Sequence, residues 1–131
     1  MKLVKGYLGS DVRMDGSLET NDSLRIDATF VGNVSSSHSV VVGRLGRVMG
    51  EIKAPVIEVD GWVEGNLKAG KLVEVLGNAR IKGNIYTPVG GLKMRLGGEF
   101  KGKFIMYLLN NNGASNRQLQ YFTLSNWIRS R

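Results

Sequence analysis

The chain has 131 residues, 42% of them apolar, with 18 glycines, 2 prolines and no cysteine. That length fits one domain, the glycine content argues for turns and close backbone approach over long helices, and the lack of cysteine excludes a disulfide framework or a thiolate metal site. Eighteen basic against eleven acidic residues leave a net charge of +7, which favours anionic partners and solubility.

Residues 1–11 read as an N-terminal tail. Met1, Leu3 and Val4 are interleaved with Lys2 and Lys5. The apolar run is too short for a signal peptide, but the mixture suits a peg that dips into a membrane surface.

From residue 12 a seven-residue pattern recurs: small residue, any, apolar, any, Gly, any, apolar. A weak first copy is Val12-Arg-Met14-Asp-Gly16-Ser-Leu18, followed by Ala28-Thr-Phe30-Val-Gly32-Asn-Val34 and Gly46-Arg-Val48-Met-Gly50-Glu-Ile52. The later copies are Gly61-Trp-Val63-Glu-Gly65-Asn-Leu67, Ala79-Arg-Ile81-Lys-Gly83-Asn-Ile85 and Gly98-Glu-Phe100-Lys-Gly102-Lys-Phe104. The second glycines are spaced by 16, 18, 15, 18 and 19 residues. Six copies at nearly fixed spacing mark a repeat architecture.

A second apolar run precedes each later copy: Leu24-Arg-Ile26, Val40-Val-Val42, Ile57-Glu-Val59, Val73-Glu-Val75 and Leu92-Lys-Met94-Arg-Leu96. Alternation with period 2 and many β-branched residues means strand. Two or three short strands in about 17 residues make one coil, and coils stack ~4.8 Å apart through parallel hydrogen bonding. The repeated glycine fits a bend that needs φ > 0 or no side chain. Ser35–Ser39, Lys53–Pro55 and Tyr86–Gly91 are expected as looser corners. An antiparallel sandwich does not account for six copies of one pattern. The expected fold is all-β, a parallel β-helix over residues 12–107.

Residues 108–131 form a linker, Asn110-Asn-Asn-Gly-Ala-Ser-Asn116, and a basic aromatic tail with Arg117, Arg129 and Arg131. Read as a helix, the tail places Tyr121, Leu124, Trp127 and Ile128 on one face. Such a face can cap the β-helix or meet a membrane or partner.

Little in the chain suits catalysis. His38, the one histidine, sits in a serine-rich corner with no second imidazole or thiolate to form a metal site. Gly43-Arg-Leu-Gly46 and Gly90-Gly91 lack the Gly-Lys-Ser/Thr and helix of a phosphate loop. Asp22, Asp27, Glu58 and Asp60 have no regular ligand spacing. No catalytic, cofactor or metal residues are therefore assigned. A β-helix does carry two open ends, each a template for another strand. Met14 and Leu18 at one end, and Phe100, Phe104 and Ile105 at the other, are the candidate polymerisation residues. Val31, Met49 and Trp62 offer a weaker lateral surface.

The chain from about Tyr7 to Tyr107 resembles the bactofilins, a bacterial cytoskeletal family. The resemblance rests on Ser23-Leu-Arg-Ile-Asp27 leading to Phe30-Val-Gly-Asn-Val34, on Ile57-Glu-Val-Asp-Gly-Trp-Val-Glu-Gly-Asn-Leu67, on Val73-Glu-Val-Leu and on Ile81-Lys-Gly-Asn-Ile-Tyr-Thr-Pro88. It implies a right-handed, single-stranded parallel β-helix of about six coils with flexible termini. It implies nucleotide-free assembly into non-polar filaments, without cofactor, at the inner face of the cytoplasmic membrane. It implies roles in cell shape, with cell-wall-remodelling enzymes as partners, Phe104 in the stacking surface and residues 1–5 as the membrane peg. Ala28 stands where family members often have Gly, and the tail at 117–131 lies outside the pattern. Two alternatives compete: a left-handed β-helix acyltransferase of the hexapeptide type, whose strict six-residue steps the spacings break, and a membrane- or nucleic-acid-binding module driven by the basic tail.

Overall fold

A computed structural model describes residues 6–107, 122–124 and 127–129 of the chain. All regular structure among them is strand. The strands are β1 (Gly6–Leu8), β2 (Arg13–Thr20), β3 (Leu24–Ile26), β4 (Thr29–Ser36), β5 (Ser39–Val42) and β6 (Arg47–Val59). They continue as β7 (Trp62–Val75), β8 (Arg80–Pro88), β9 (Leu92–Met94), β10 (Glu99–Tyr107), β11 (Phe122–Leu124) and β12 (Trp127–Arg129).

From β1 to β10 every pairing is parallel, and the pairs fall into two ladders. The seven-residue copies form one, running β2, β4, β6, β7, β8, β10. The second apolar runs form the other, through β1, β3, β5, the C-terminal halves of β6 and β7, and β9. The chain thus winds as a β-solenoid of about six coils, a rod of roughly 25–30 Å at the usual strand spacing.

The register places like over like, as the repeat predicts. Phe30, Val48, Val63, Ile81 and Phe100 stack in one interior column, and Val34, Ile52, Leu67, Ile85 and Phe104 in a second. All ten are buried, at 5% exposure or less. The second ladder adds Ile26, Val40, Val42, Ile57, Val59, Val73 and Val75, each fully buried. Alternation puts one residue in two inside, so this narrow rod encloses a continuous apolar core.

Gly16, Gly32, Gly50, Gly65, Gly83 and Gly102 pair with one another coil by coil. Their φ values run from 125 to 147°, which L side chains rarely adopt. From Gly32 onward, an added Cβ would overlap the carbonyl oxygen of the glycine one coil earlier. Each long strand bends at this column, and the absent side chain makes room for the backbone beneath.

The uneven spacing of these glycines has a simple cause. Successive coils are joined by turns of either two residues, at 27–28 and 60–61, or four, at 9–12, 43–46, 76–79 and 95–98. Spacings of 15 and 16 cross the short turns, and spacings of 18 and 19 cross the long ones. Each long turn is closed by one backbone hydrogen bond from its fourth N–H to its first carbonyl, such as Gly46 to Gly43 at 2.9 Å. The tips of two of them expose Leu45 and Leu96.

The corners differ from expectation at one place. Lys53–Pro55 is not a loose corner but lies inside β6, where the ladder with β7 only shifts register between Ala54 and Val56. The serine corner is held across coils: Ser36 Oγ donates to the Asp22 carbonyl at 2.7 Å, and Ser39 Oγ to Ser23 Oγ at 3.0 Å. Among the described residues no buried side-chain nitrogen or oxygen lacks a hydrogen-bond partner.

Candidate assembly surfaces

The two ends of the rod differ. At the N-terminal end, β2 pairs with β4 on one side only, and β1 only with β3. The outer N–H and C=O groups of these strands face no other described strand. The interior residues here, Leu8, Met14 and Leu18, are half-buried, packed on the core below with no described strand above. Gly16 gives the same picture: an added Cβ there meets nothing within 4 Å. Arg13 and Asp15 form an exposed ion pair at 3.5 Å along the rim, a geometry worth little in water.

At the C-terminal end the outer edge of β10 is occupied. β12 pairs antiparallel with it through Glu99↔Arg129, Phe100↔Ile128 and Lys101↔Trp127. β11 does so through Phe104↔Leu124, Ile105↔Thr123 and Met106↔Phe122. The helical reading of the tail is therefore corrected: Leu124, Trp127 and Ile128 lie in strands, and Tyr121 lies outside the described residues. A three-residue strand carries no periodicity of its own, and the unpaired edge of β10 decides its state. β9 keeps an open outer edge, with Leu92 and Met94 half-buried.

The candidate polymerisation residues divide accordingly. Met14 and Leu18 lie at the open end, half-buried. Phe100 and Phe104 are interior, at 0% and 5% exposure, and Ile105 is half-buried beside them. Met1, Lys2, Leu3, Val4 and Lys5 lie outside the described residues. Val31, Met49 and Trp62 are half-buried on the sides, and the Arg47 guanidinium lies 4.8 Å from the centre of the Trp62 ring.

Charge is sorted along the rod, a pattern hidden when residues 12–107 are summed as one nearly balanced block. In the first coils Asp11, Asp15, Glu19, Asp22 and Asp27 outnumber Arg13 and Arg25. In the last coils Arg80, Lys82, Lys93, Arg95, Lys101 and Lys103 accompany one acid, Glu99. Arg80 pairs with Glu99 at 3.1 Å and Arg95 with Glu74 at 2.9 Å, both across coils. The four lysines are exposed and form no ion pair among the described residues. At the acidic end Asp27 is buried and accepts from Arg25 Nε at 2.9 Å, a bond that raises the Arg25 pKa above its usual value.

A groove of about 290 Å³ on the side of the rod is lined by Lys53, Pro55, Lys68, Ala69 and Tyr107. Tyr107 Oη donates to the Ala69 carbonyl at 2.9 Å, two coils away, and burial raises the phenol pKa. His38 is exposed, and its backbone N–H donates to Ser36 Oγ at 3.0 Å. Among the described residues no cluster of three His, Asp or Glu side chains is placed to hold a metal, and no helix is long and apolar enough to cross a membrane.

Residues 6–104 match the family model Bactofilin, described as polymer-forming cytoskeletal. The chain is similar to bactofilin BacO of Myxococcus xanthus, 31% identical over 99 residues that cover 76% of this chain and 77% of that protein. No solved structure matches it.

Proposed function

The chain belongs to the bactofilin family of polymer-forming cytoskeletal proteins, and from that premise we propose that it is a structural protein that stacks end to end into filaments without nucleotide. The observation that carries this reading is the N-terminal coil: a β2 edge with no outer partner among the described strands, half-buried Met14 and Leu18, and a Gly16 where an added Cβ meets no described atom within 4 Å. An open edge with an apolar disc behind it is stabilised by a second strand. Like ends meeting about two-fold axes give a non-polar filament. A two-fold at Gly16 sets Arg13 opposite Glu19 and Met14 opposite Leu18. A two-fold at Gly102 sets Phe100 opposite Phe104, and Lys101 opposite Lys103.

Residues 1–5 attach the polymer to the inner face of the cytoplasmic membrane in this reading, each copy adding a weak affinity that polymerisation multiplies. The filament then serves as a scaffold for cell shape, with cell-wall-remodelling enzymes as its partners. The role is structural, not catalytic, in this reading: the one histidine is exposed in a serine-rich turn.

Negative-stain electron microscopy of the purified chain, with no nucleotide and across a salt series, tests this reading. Filaments are expected. A chain that remains a monomer or a closed trimer under every condition sinks it, the trimer pointing instead to the acyltransferase class.

A further inference from the structure

β11 and β12 are the only antiparallel partners in the described fold, and they share one register. Every pair they make with β10, from Glu99↔Arg129 to Met106↔Phe122, belongs to the same continuous antiparallel alignment. β11 and β12 thus act together as one tail segment, with β12 on residues 99–101 of β10 and β11 on residues 104–106. We propose that this segment is a removable cap, so that the full chain first pairs through its open N-terminal ends and elongates only when the cap leaves β10. This inference rests on the end-to-end assembly reading.

The argument is one of exclusive partners. The outward N–H and C=O groups of β10 are the groups that a β10 strand from a second copy would need for a C-terminal joint. A two-fold joint at Gly102 also asks for an antiparallel strand on this edge, which the tail already supplies. Both cannot bind at once. No described segment competes at the other end, where β2 has no outer partner among the described strands. Charge points the same way: a C-terminal joint sets Lys101 opposite Lys103, whereas an N-terminal joint sets Arg13 opposite Glu19. The cap is tethered, so it competes at a high effective concentration that a second copy must exceed. A discrete dimer, occupied at both β2 edges, is therefore the expected species at low concentration.

The test uses the full chain, which contains no cysteine. Ile105 and Thr123 are directly opposed, a placement that admits a disulfide. In Ile105→Cys/Thr123→Cys the oxidised protein should stay a dimer by light scattering, and reduction should release filaments. In a second variant, Leu124→Pro/Ile128→Pro, opposite Phe104 and Phe100, the tail loses ladder hydrogen bonds, and filaments should appear at a roughly tenfold lower concentration than in wild type. The proposal is overturned if the disulfide does not form, if oxidised protein polymerises as readily as reduced, or if the proline variant shows the wild-type threshold. Failure of wild type and released variants alike to form any filament removes the assembly reading itself, and the cap with it.

Discussion

The first and last coils are built from the same seven-residue pattern, yet they finish the rod in different ways. At the N-terminal end the bend glycine is exposed, the interior residues are Met14 and Leu18, and the outer edge of β2 has no partner among the described strands. At the C-terminal end the interior residues are Phe100 and Phe104, both buried, and the outer edge of β10 carries β11 and β12. A repeat therefore specifies the middle of a solenoid but not its ends. What an end does depends on which residues fill the pattern there and on what sequence lies beyond it.

The largest effect expected is between the middle and the N-terminal end. Gly65→Ala drives a Cβ into the Gly50 carbonyl at a φ of 143°, and should cost at least about 4 kcal/mol or abolish folding. Gly16→Ala meets no atom, so only the strained φ of 125° counts, about 1–3 kcal/mol. Denaturant unfolding of the two variants measures the gap, and equal losses would break the comparison.

The two ends themselves should differ next. Phe100→Ala removes a fully buried ring and should cost about 3–5 kcal/mol. Met14→Ala removes a half-buried side chain and should cost about half as much. The burial of Phe104 has the same implication: Phe104→Arg would disturb the core as well as any joint, so loss of filaments in that variant needs a folding control by circular dichroism.

Salt sharpens the comparison further. A joint between two C-terminal ends brings basic coils to basic coils, with Lys101 opposite Lys103, so screening should strengthen it. Raising salt from 50 to 500 mM, where the Debye length falls from roughly 14 to roughly 4 Å, should lengthen filaments. Shortening would instead indicate head-to-tail joints, where Lys101 meets Asp15. Lys101→Glu, which sets opposite charges across a C-terminal joint, should flatten this dependence, as read from sedimentation against salt.

The smallest effect lies at Tyr107. Tyr107→Phe removes the hydrogen bond to Ala69 and should cost about 1 kcal/mol. Burial raises the pKa of this phenol in the folded state. The folded protein therefore holds the proton longer than the unfolded chain, and the contribution is full below the ordinary phenol pKa and lost as pH rises through the raised value. Thermal unfolding of wild type and Tyr107→Phe should converge at strongly alkaline pH.

Much of the rod was legible in the sequence. The six copies locate the long ladder, and the alternation of Val, Ile, Leu and Phe with polar residues names both core columns correctly. Even the irregular spacing carried meaning, because it records turns of two or four residues. Three features were not legible. Lys53–Pro55 looked like a corner because Pro breaks most ladders, but only a register shift was needed to accommodate it. The strands in the tail depend on an edge presented by residues some twenty positions earlier, and local spacing pointed to a helix. The axial sorting of charge appears only after the coils are stacked in order.

Because each bend from Gly32 onward sits on the carbonyl of the glycine one coil earlier, the rod can change length only in whole coils. A duplicated block running from just after one bend to the next, such as residues 51–65, restores the same backbone fit on both sides and extends the rod by ~4.8 Å. A block of any other size leaves a side chain where only a carbonyl fits. Length variation among proteins built this way should therefore come in discrete steps, through gain or loss of complete repeats, with the two end coils carried along unchanged.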